Sequence, residues 1–140
     1  MITTGRLVLA AGLGSGCGAV ARWLLAVAMV DVVDGFPWAT LLANVLGSLL
    51  IGGIGAISTS SNHPFASPVM RQFLMVGFCG GFTTFSIFSL EVLTMLLRDE
   101  YAMAFTYVSA SLVLWLVAVW LGFVLGRHFV ARTSPTTPLA

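Results

Sequence analysis

The side chains that could do chemistry in this chain sit inside long apolar runs. No residue between Gln72 and Leu90 is charged, yet the stretch Gly77-Phe78-Cys79-Gly80-Gly81-Phe82-Thr83-Thr84-Phe85-Ser86-Ile87-Phe88-Ser89 has a glycine pair and two threonines at its middle. Two glycines followed by β-branched residues weaken helix propagation and free backbone carbonyls. Beyond that point Phe85 and Phe88 share a face at i, i+3, with Ser89 one turn after Phe85. A second polar stripe runs Thr40, Asn44, Gly47 and Ser48 at i, i+4, i+7 and i+8, and a third runs Tyr107, Ser111 and Trp115 at i, i+4 and i+8. Amide N–H, hydroxyl O–H and the positive edge of a phenyl ring all donate to anions. Such donors suit a small dehydrated anion, which must be met favourably and yet be able to leave.

The remaining chemistry is excluded by type and spacing. His63 and His128 lie outside the apolar runs, so no Ser/His/Asp set can form there. Cys17 and Cys79 have neither CxxC nor Cys/His spacing and read as structural apolar cysteines. No glycine loop leads a soluble βα unit, and a net charge of +1 leaves no footprint for nucleic acid. The expectation is a protein that is not an enzyme.

These residues need a membrane scaffold to position them. The chain is 59% hydrophobic and 8% charged, with a mean hydropathy of +1.03, against roughly a quarter charged residues in ordinary soluble domains. Leu7 to Val30 is interrupted only by Arg22, Gln72 to Leu97 only by Glu91, and Gly35 to Ile57 and Tyr101 to Gly126 not at all. Each run exceeds the roughly 20 residues that cross a bilayer. The fold class is therefore an all-α integral membrane protein with four transmembrane helices, the third broken mid-membrane. Residues 1–130 read as one four-helix subunit and 131–140 as a polar, disordered tail. No cleavable signal peptide is evident, the first run being too long for one.

Within that scaffold, Gly12/Gly16 and Gly14/Gly18 form two overlapping small-residue pairs for close helix approach. Pro37 suits the first turn of the second helix, and Ser58 to Val69 reads as a loop, with the third helix starting near Arg71. Asn44 is either a functional polar site or a helix–helix hydrogen bond, because a buried amide needs partners. Ser111 either serves a site or back-bonds to the carbonyl four residues earlier. Arg22 and Glu91 each fall seven or eight residues before the same end of parallel helices, so at ~1.5 Å per residue they share a depth. An intramembrane ion pair between them is the expectation. Arg6, Arg71, Arg127 and Arg132, with His63, gather on the side of the termini, and Arg98 with Asp31, Asp34, Asp99 and Glu100 on the other, which favours cytoplasmic termini. Four helices can hardly enclose a pore, so an oligomer is expected.

Three motifs together resemble the CrcB/Fluc fluoride channels: Gly77 to Ser89 followed by Glu91, Gly18-Ala19-Val20-Ala21-Arg22-Trp23, and Thr40 to Ser48. The resemblance covers nearly the whole chain in order. It implies an antiparallel dimer with two fluoride pores in the bacterial inner membrane, exporting fluoride and lowering its cytoplasmic concentration. By position, Phe85 and Phe88 correspond to the aromatic pair beside the fluoride path, Asn44 to the pore amide, and Thr40, Tyr107 and Ser111 to its hydroxyl neighbours. The resemblance also implies a structural Na⁺, not transported, held by backbone carbonyls of Gly80 and Thr83. The sequence departs from the family at Phe82, where many members have leucine, and at Trp115, where some have a second serine. The charge bias leaves a homodimer or a pairing with an oppositely biased paralogue. The rival readings are a non-conducting partner subunit and a small proton-coupled multidrug exporter. The latter relies on a first-helix carboxylate, which this chain lacks.

Overall fold

The computed structural model describes residues 3–30, 35–59 and 66–133. Asp31, Asp34 and His63, which enter the charge reading above, lie outside them. Every regular element among the described residues is helical. Helix α1 is Thr4–Ala28 and α2 is Trp38–Ile57. The third span, Pro68–Leu97, is built in pieces: α3 (Pro68–Arg71), a π-helical segment (Gln72–Cys79), α4 (Gly80–Phe82) and α5 (Phe85–Leu97). Helix α6 is Tyr101–Thr133. Four spans are thus long and apolar enough to cross a membrane, and the chain is a multi-pass membrane protein.

Local chemistry sets the ends. Ser67 Oγ accepts the Met70 N–H at 3.3 Å and Pro68 opens the helix, so the third span starts at Pro68 rather than near Arg71. Pro37 stands just before α2 as its N-cap rather than in its first turn. Between α5 and α6, Asp99 takes φ 61°, Glu100 N–H bonds Met95 C=O at 2.9 Å, and Asp99 N–H bonds Leu96 C=O at 3.2 Å. That is a Schellman turn, and it reverses the chain in three residues. Helix α6 continues to Thr133, past residue 130 where the sequence suggests a polar tail; residues 134–140 are not described.

Two glycine seams hold the spans together. Gly14 and Gly18 of α1 meet the main chain of Phe73, Phe78 and Phe82, while Gly77 and Gly81 meet that of Ala11 and Ser15. On the other side of the bundle, Gly52 lies on the carbonyl of Val119 and Gly122 on that of Leu49. Without a hydrophobic force between helices in lipid, such close approach is what packs them. Gly12 and Gly16 face open space, so only one of the two overlapping pairs works within the subunit. The core itself gathers Leu41, Phe88, Met95, Ala104 and Tyr107 between α2, α5 and α6.

Candidate functional site

The third span breaks at Thr83 and Thr84. Their backbones are extended, with φ/ψ of −80°/160° and −152°/123°, between the end of α4 at Phe82 and the start of α5 at Phe85. The glycine pair that suggested the break is itself helical. Gly81 is there because Ser15 main chain leaves no room for a Cβ, and Gly80 faces open space. The β-branched threonines, better suited to extended backbone, mark the true interruption.

Backbone groups freed inside a membrane must find partners, and Asn44 supplies two of them. Its Nδ2 donates to Thr84 C=O at 2.9 Å and its Oδ1 accepts Thr84 N–H at 2.7 Å, so the side-chain amide pairs with the break as a neighbouring strand would. Arg22 Nε donates to Gly81 C=O at 3.3 Å. Thr83 N–H and Oγ1 both donate to Cys79 C=O, at 2.9 Å and 2.8 Å, and Thr84 Oγ1 caps α5 by accepting Ile87 N–H at 3.2 Å. Thr84 N–H would otherwise close the helical turn onto Gly80 C=O. With that amide turned to Asn44, the Gly80 carbonyl loses its helical donor, on a residue exposed at the surface of the subunit.

Arg22 and Glu91 do not pair within the subunit, contrary to the expectation from their depth. Glu91 Oε1 accepts the Thr40 hydroxyl and Oε2 the Tyr107 hydroxyl, each at 2.7 Å, while Arg22 is committed to the break. Two neutral hydroxyls satisfy the carboxylate where a second charge was expected, because α2 and α6 flank α5 at that level whereas α1 packs against the π-helical segment and α4. Thr40 and Tyr107 are buried, so the network is an interior one.

The aromatic groups follow the same level. Phe88 is 6% exposed and meets Tyr107 and Trp115, each with ring centroids 5.0 Å away, the latter edge-on at 67°. Phe85 lies 5.8 Å from Phe88 but is 72% exposed, on the outer surface of the single subunit. Ser111, fully buried between Tyr107 and Trp115 along α6, makes no hydrogen bond, and neither does the buried indole nitrogen of Trp115. A cavity of about 310 Å³ opens beside the break, lined among others by Asn44, Ser48, Gly80, Thr83, Phe85 and Trp115.

The structure thus brings Asn44, Gly80, Thr83 and Phe85 to one cavity and Tyr107 and Phe88 to one core, with Thr40 joined to Tyr107 through Glu91. Thr84 escaped the sequence reading as the partner of Asn44; a lone amide at the depth of a helix break was the available signal. The hydroxyl partners of Glu91 also escaped it, although Thr40 and Tyr107 stood on stripes already identified. No group of three His, Cys, Asp or Glu side chains able to hold a metal occurs among the described residues.

Residues 9–123 match the family described as CrcB-like protein, Camphor Resistance (CrcB). The chain is 43% identical over 116 residues to fluoride-specific ion channel FluC 1 of Bradyrhizobium diazoefficiens, covering 83% of this chain and 81% of that one. It is 46% identical over 119 residues to fluoride-specific ion channel FluC 1 of Rhodopseudomonas palustris, covering 84% and 81%. It is 40% identical over 127 residues to fluoride-specific ion channel FluC of Chlorobium chlorochromatii, covering 91% and 97%. Those relatives are named as ion channels, not enzymes. By the extent of these matches and the four spans that carry them, the chain belongs to the CrcB family.

Proposed function

We propose that this protein is a fluoride channel that lets fluoride leave the bacterial cytoplasm across the inner membrane. The observation that carries the reading is a pair of buried donors without acceptors inside a membrane span: the Ser111 hydroxyl and, one turn on, the indole N–H of Trp115, whose ring packs against Phe88. Unpaired donors are costly there, and a small anion is the acceptor that the relatives' names supply. Thr40 and Tyr107 sit on Glu91, next to that pair, and continue the polar level toward the α5–α6 turn. Asn44 orients the break while keeping one amide hydrogen available for an anion, since Nδ2 carries two.

The working unit in this reading is an antiparallel homodimer with two pores. Phe85 supports it, because a pore-lining ring 72% exposed on the single subunit needs a second subunit to cover it. Gly80 supports it too: its carbonyl has lost its helical donor, on a residue exposed at the surface of the single subunit. The main-chain carbonyls of Gly80 and Thr83 from each subunit would hold a structural Na⁺, whose charge offsets the carbonyl dipoles freed at the break. Arg22, donating to Gly81, and Asn44, holding Thr84, fix the backbone that presents those carbonyls.

Fluoride efflux from liposomes containing the purified protein alone tests the reading. Rapid fluoride efflux with chloride retained is the expected result. A dimer that releases no fluoride would instead make this chain the non-conducting member of a pair with a paralogous subunit.

A further inference from the structure

One cavity of the molecule takes no part in the break or in the carboxylate network. It has a volume of about 540 Å³ and lies between the first turns of α1 and the start of the third span, lined among others by Arg6, Leu9, Leu13, Met70 and Phe73. Leu9, Leu13 and Met70 are exposed on the subunit, so the cavity opens to its surroundings. Every lining side chain but Arg6 is apolar. Arg6 stands in the first turn of α1, and Leu13 lies about 10 Å further along the helix axis. The Arg6 guanidinium has no hydrogen-bond or ion-pair partner among the described residues. It also stands at the positive end of the helix dipole, and the first turn of α1 has no acidic residue. An anion at that point answers both the guanidinium and the dipole.

We propose that this cavity binds an anionic phospholipid, its phosphate on Arg6 and an acyl chain laid along Leu9, Leu13, Met70 and Phe73. A lone guanidinium above an apolar trough fits a molecule that is charged at one end and hydrocarbon at the other. A free phosphate uses Arg6 but none of the trough. A phosphatidylcholine fills the trough but brings a second cation up to the guanidinium. Lipid is the neighbour available here, because a second subunit covering Phe85 and Gly80 lies over the cavity at the break, with which the Arg6 cavity shares no lining residue. The occupant also bears on the fold. Gly14 of α1 packs on the main chain of Phe73, so a chain held against the Phe73 side chain braces the seam between α1 and the third span. The site depends on the membrane spans alone and is independent of which ion the protein conducts.

Native mass spectrometry of the purified protein, delipidated in detergent and titrated with phosphatidylglycerol or phosphatidylcholine of the same acyl chains, tests the proposal. The expected result is about tenfold tighter binding of phosphatidylglycerol, as for a hydrogen bond to a charged group, and loss of that preference in Arg6→Gln. Arg127→Gln removes a charge at the same end of the molecule but outside the cavity, and should keep the preference. Equal losses in the two variants mean diffuse attraction to the headgroup and overturn the site. Leu13→Trp sets a larger side chain in the trough and should weaken both lipids; unchanged binding of both overturns the acyl-chain contact and the proposal with it. Displacement of phosphatidylglycerol by inorganic phosphate at equal concentration does the same. Arg6 and Leu13 are both exposed, so the variants keep the fold. A rise in melting temperature with phosphatidylglycerol, abolished by Arg6→Gln, is the expected second readout.

Discussion

Asn44 and Thr84 are joined by two hydrogen bonds, 2.9 Å from Nδ2 to the carbonyl and 2.7 Å from the amide to Oδ1. One side chain on α2 thereby satisfies both polar groups of an extended residue within a transmembrane span. Asn44→Ala leaves both groups without a partner at a cost of about 1–3 kcal/mol each. Asn44→Asp keeps the acceptor for Thr84 N–H and loses the donor for its carbonyl. Hydrogen exchange at Thr84 reads the difference: protection should vanish in the alanine variant and persist in the aspartate variant. Fluoride efflux should fall in both, since each loses the amide hydrogens.

Glu91 distinguishes a hydroxyl-satisfied carboxylate from a salt-bridged one. Thr40 and Tyr107 each donate to it at 2.7 Å, and Arg22 serves Gly81 instead. The exchange variant Arg22→Glu with Glu91→Arg should therefore rescue nothing, because each residue would lose partners that the other cannot supply. Glu91→Gln sets an NH₂ donor against one of two hydroxyl donors and should destabilise the subunit by about 1–3 kcal/mol. Tyr107→Phe and Thr40→Val remove one bond apiece and should cost less than that. Unfolding of the detergent-solubilised protein orders the series, and full recovery in the exchange variant would restore the ion pair.

How much of this was legible in the sequence divides by range. The four spans follow from apolar runs alone, because bilayer thickness fixes helix length whatever packs against it. That a break lies within Gly77 to Ser89 was legible too. Its position was not, since Gly81 has the same letter whether it interrupts a helix or admits the main chain of Ser15. Depth placed Arg22 and Glu91 at one level but not in one contact. Depth is a one-dimensional quantity, and α1 and α5 differ in their neighbours around the bundle. The hydroxyls of Ser111 and Ser89 look alike in sequence as well; only the three-dimensional environment separates the one that back-bonds from the one that does not.

The glycine seams make opposite predictions for two positions on one helix. A Cβ at Gly52 runs into the carbonyl of Val119, whereas at Gly55 its nearest neighbour is the end of the Met75 side chain, 3.9 Å away. Gly52→Ala should push α2 off α6 and cost about 1–3 kcal/mol, the range of overpacking in a tight interface. Gly55→Ala should be neutral or stabilising by up to about 1 kcal/mol, from the better helix propensity of alanine. Thermal melting in the same detergent compares them, and equal effects at both positions would remove close approach as the reason for Gly52.

Phe85 and Phe88 separate pore function from subunit stability. Their rings are 5.8 Å apart on one face of α5, but Phe88 is 6% exposed and Phe85 72%. Phe88→Ile gives up its ring contacts with Tyr107 and Trp115, each worth about 0.5–1.5 kcal/mol for an aromatic pair. It should therefore lower the melting temperature as well as abolish fluoride efflux. Phe85→Ile alters a side chain that is 72% exposed on the subunit, so the melting temperature should hold while efflux is lost. Efflux and melting measured on the same preparations make the comparison internal. Wild-type efflux from Phe85→Ile would take that ring out of the path, and with it the need for a second subunit to cover it.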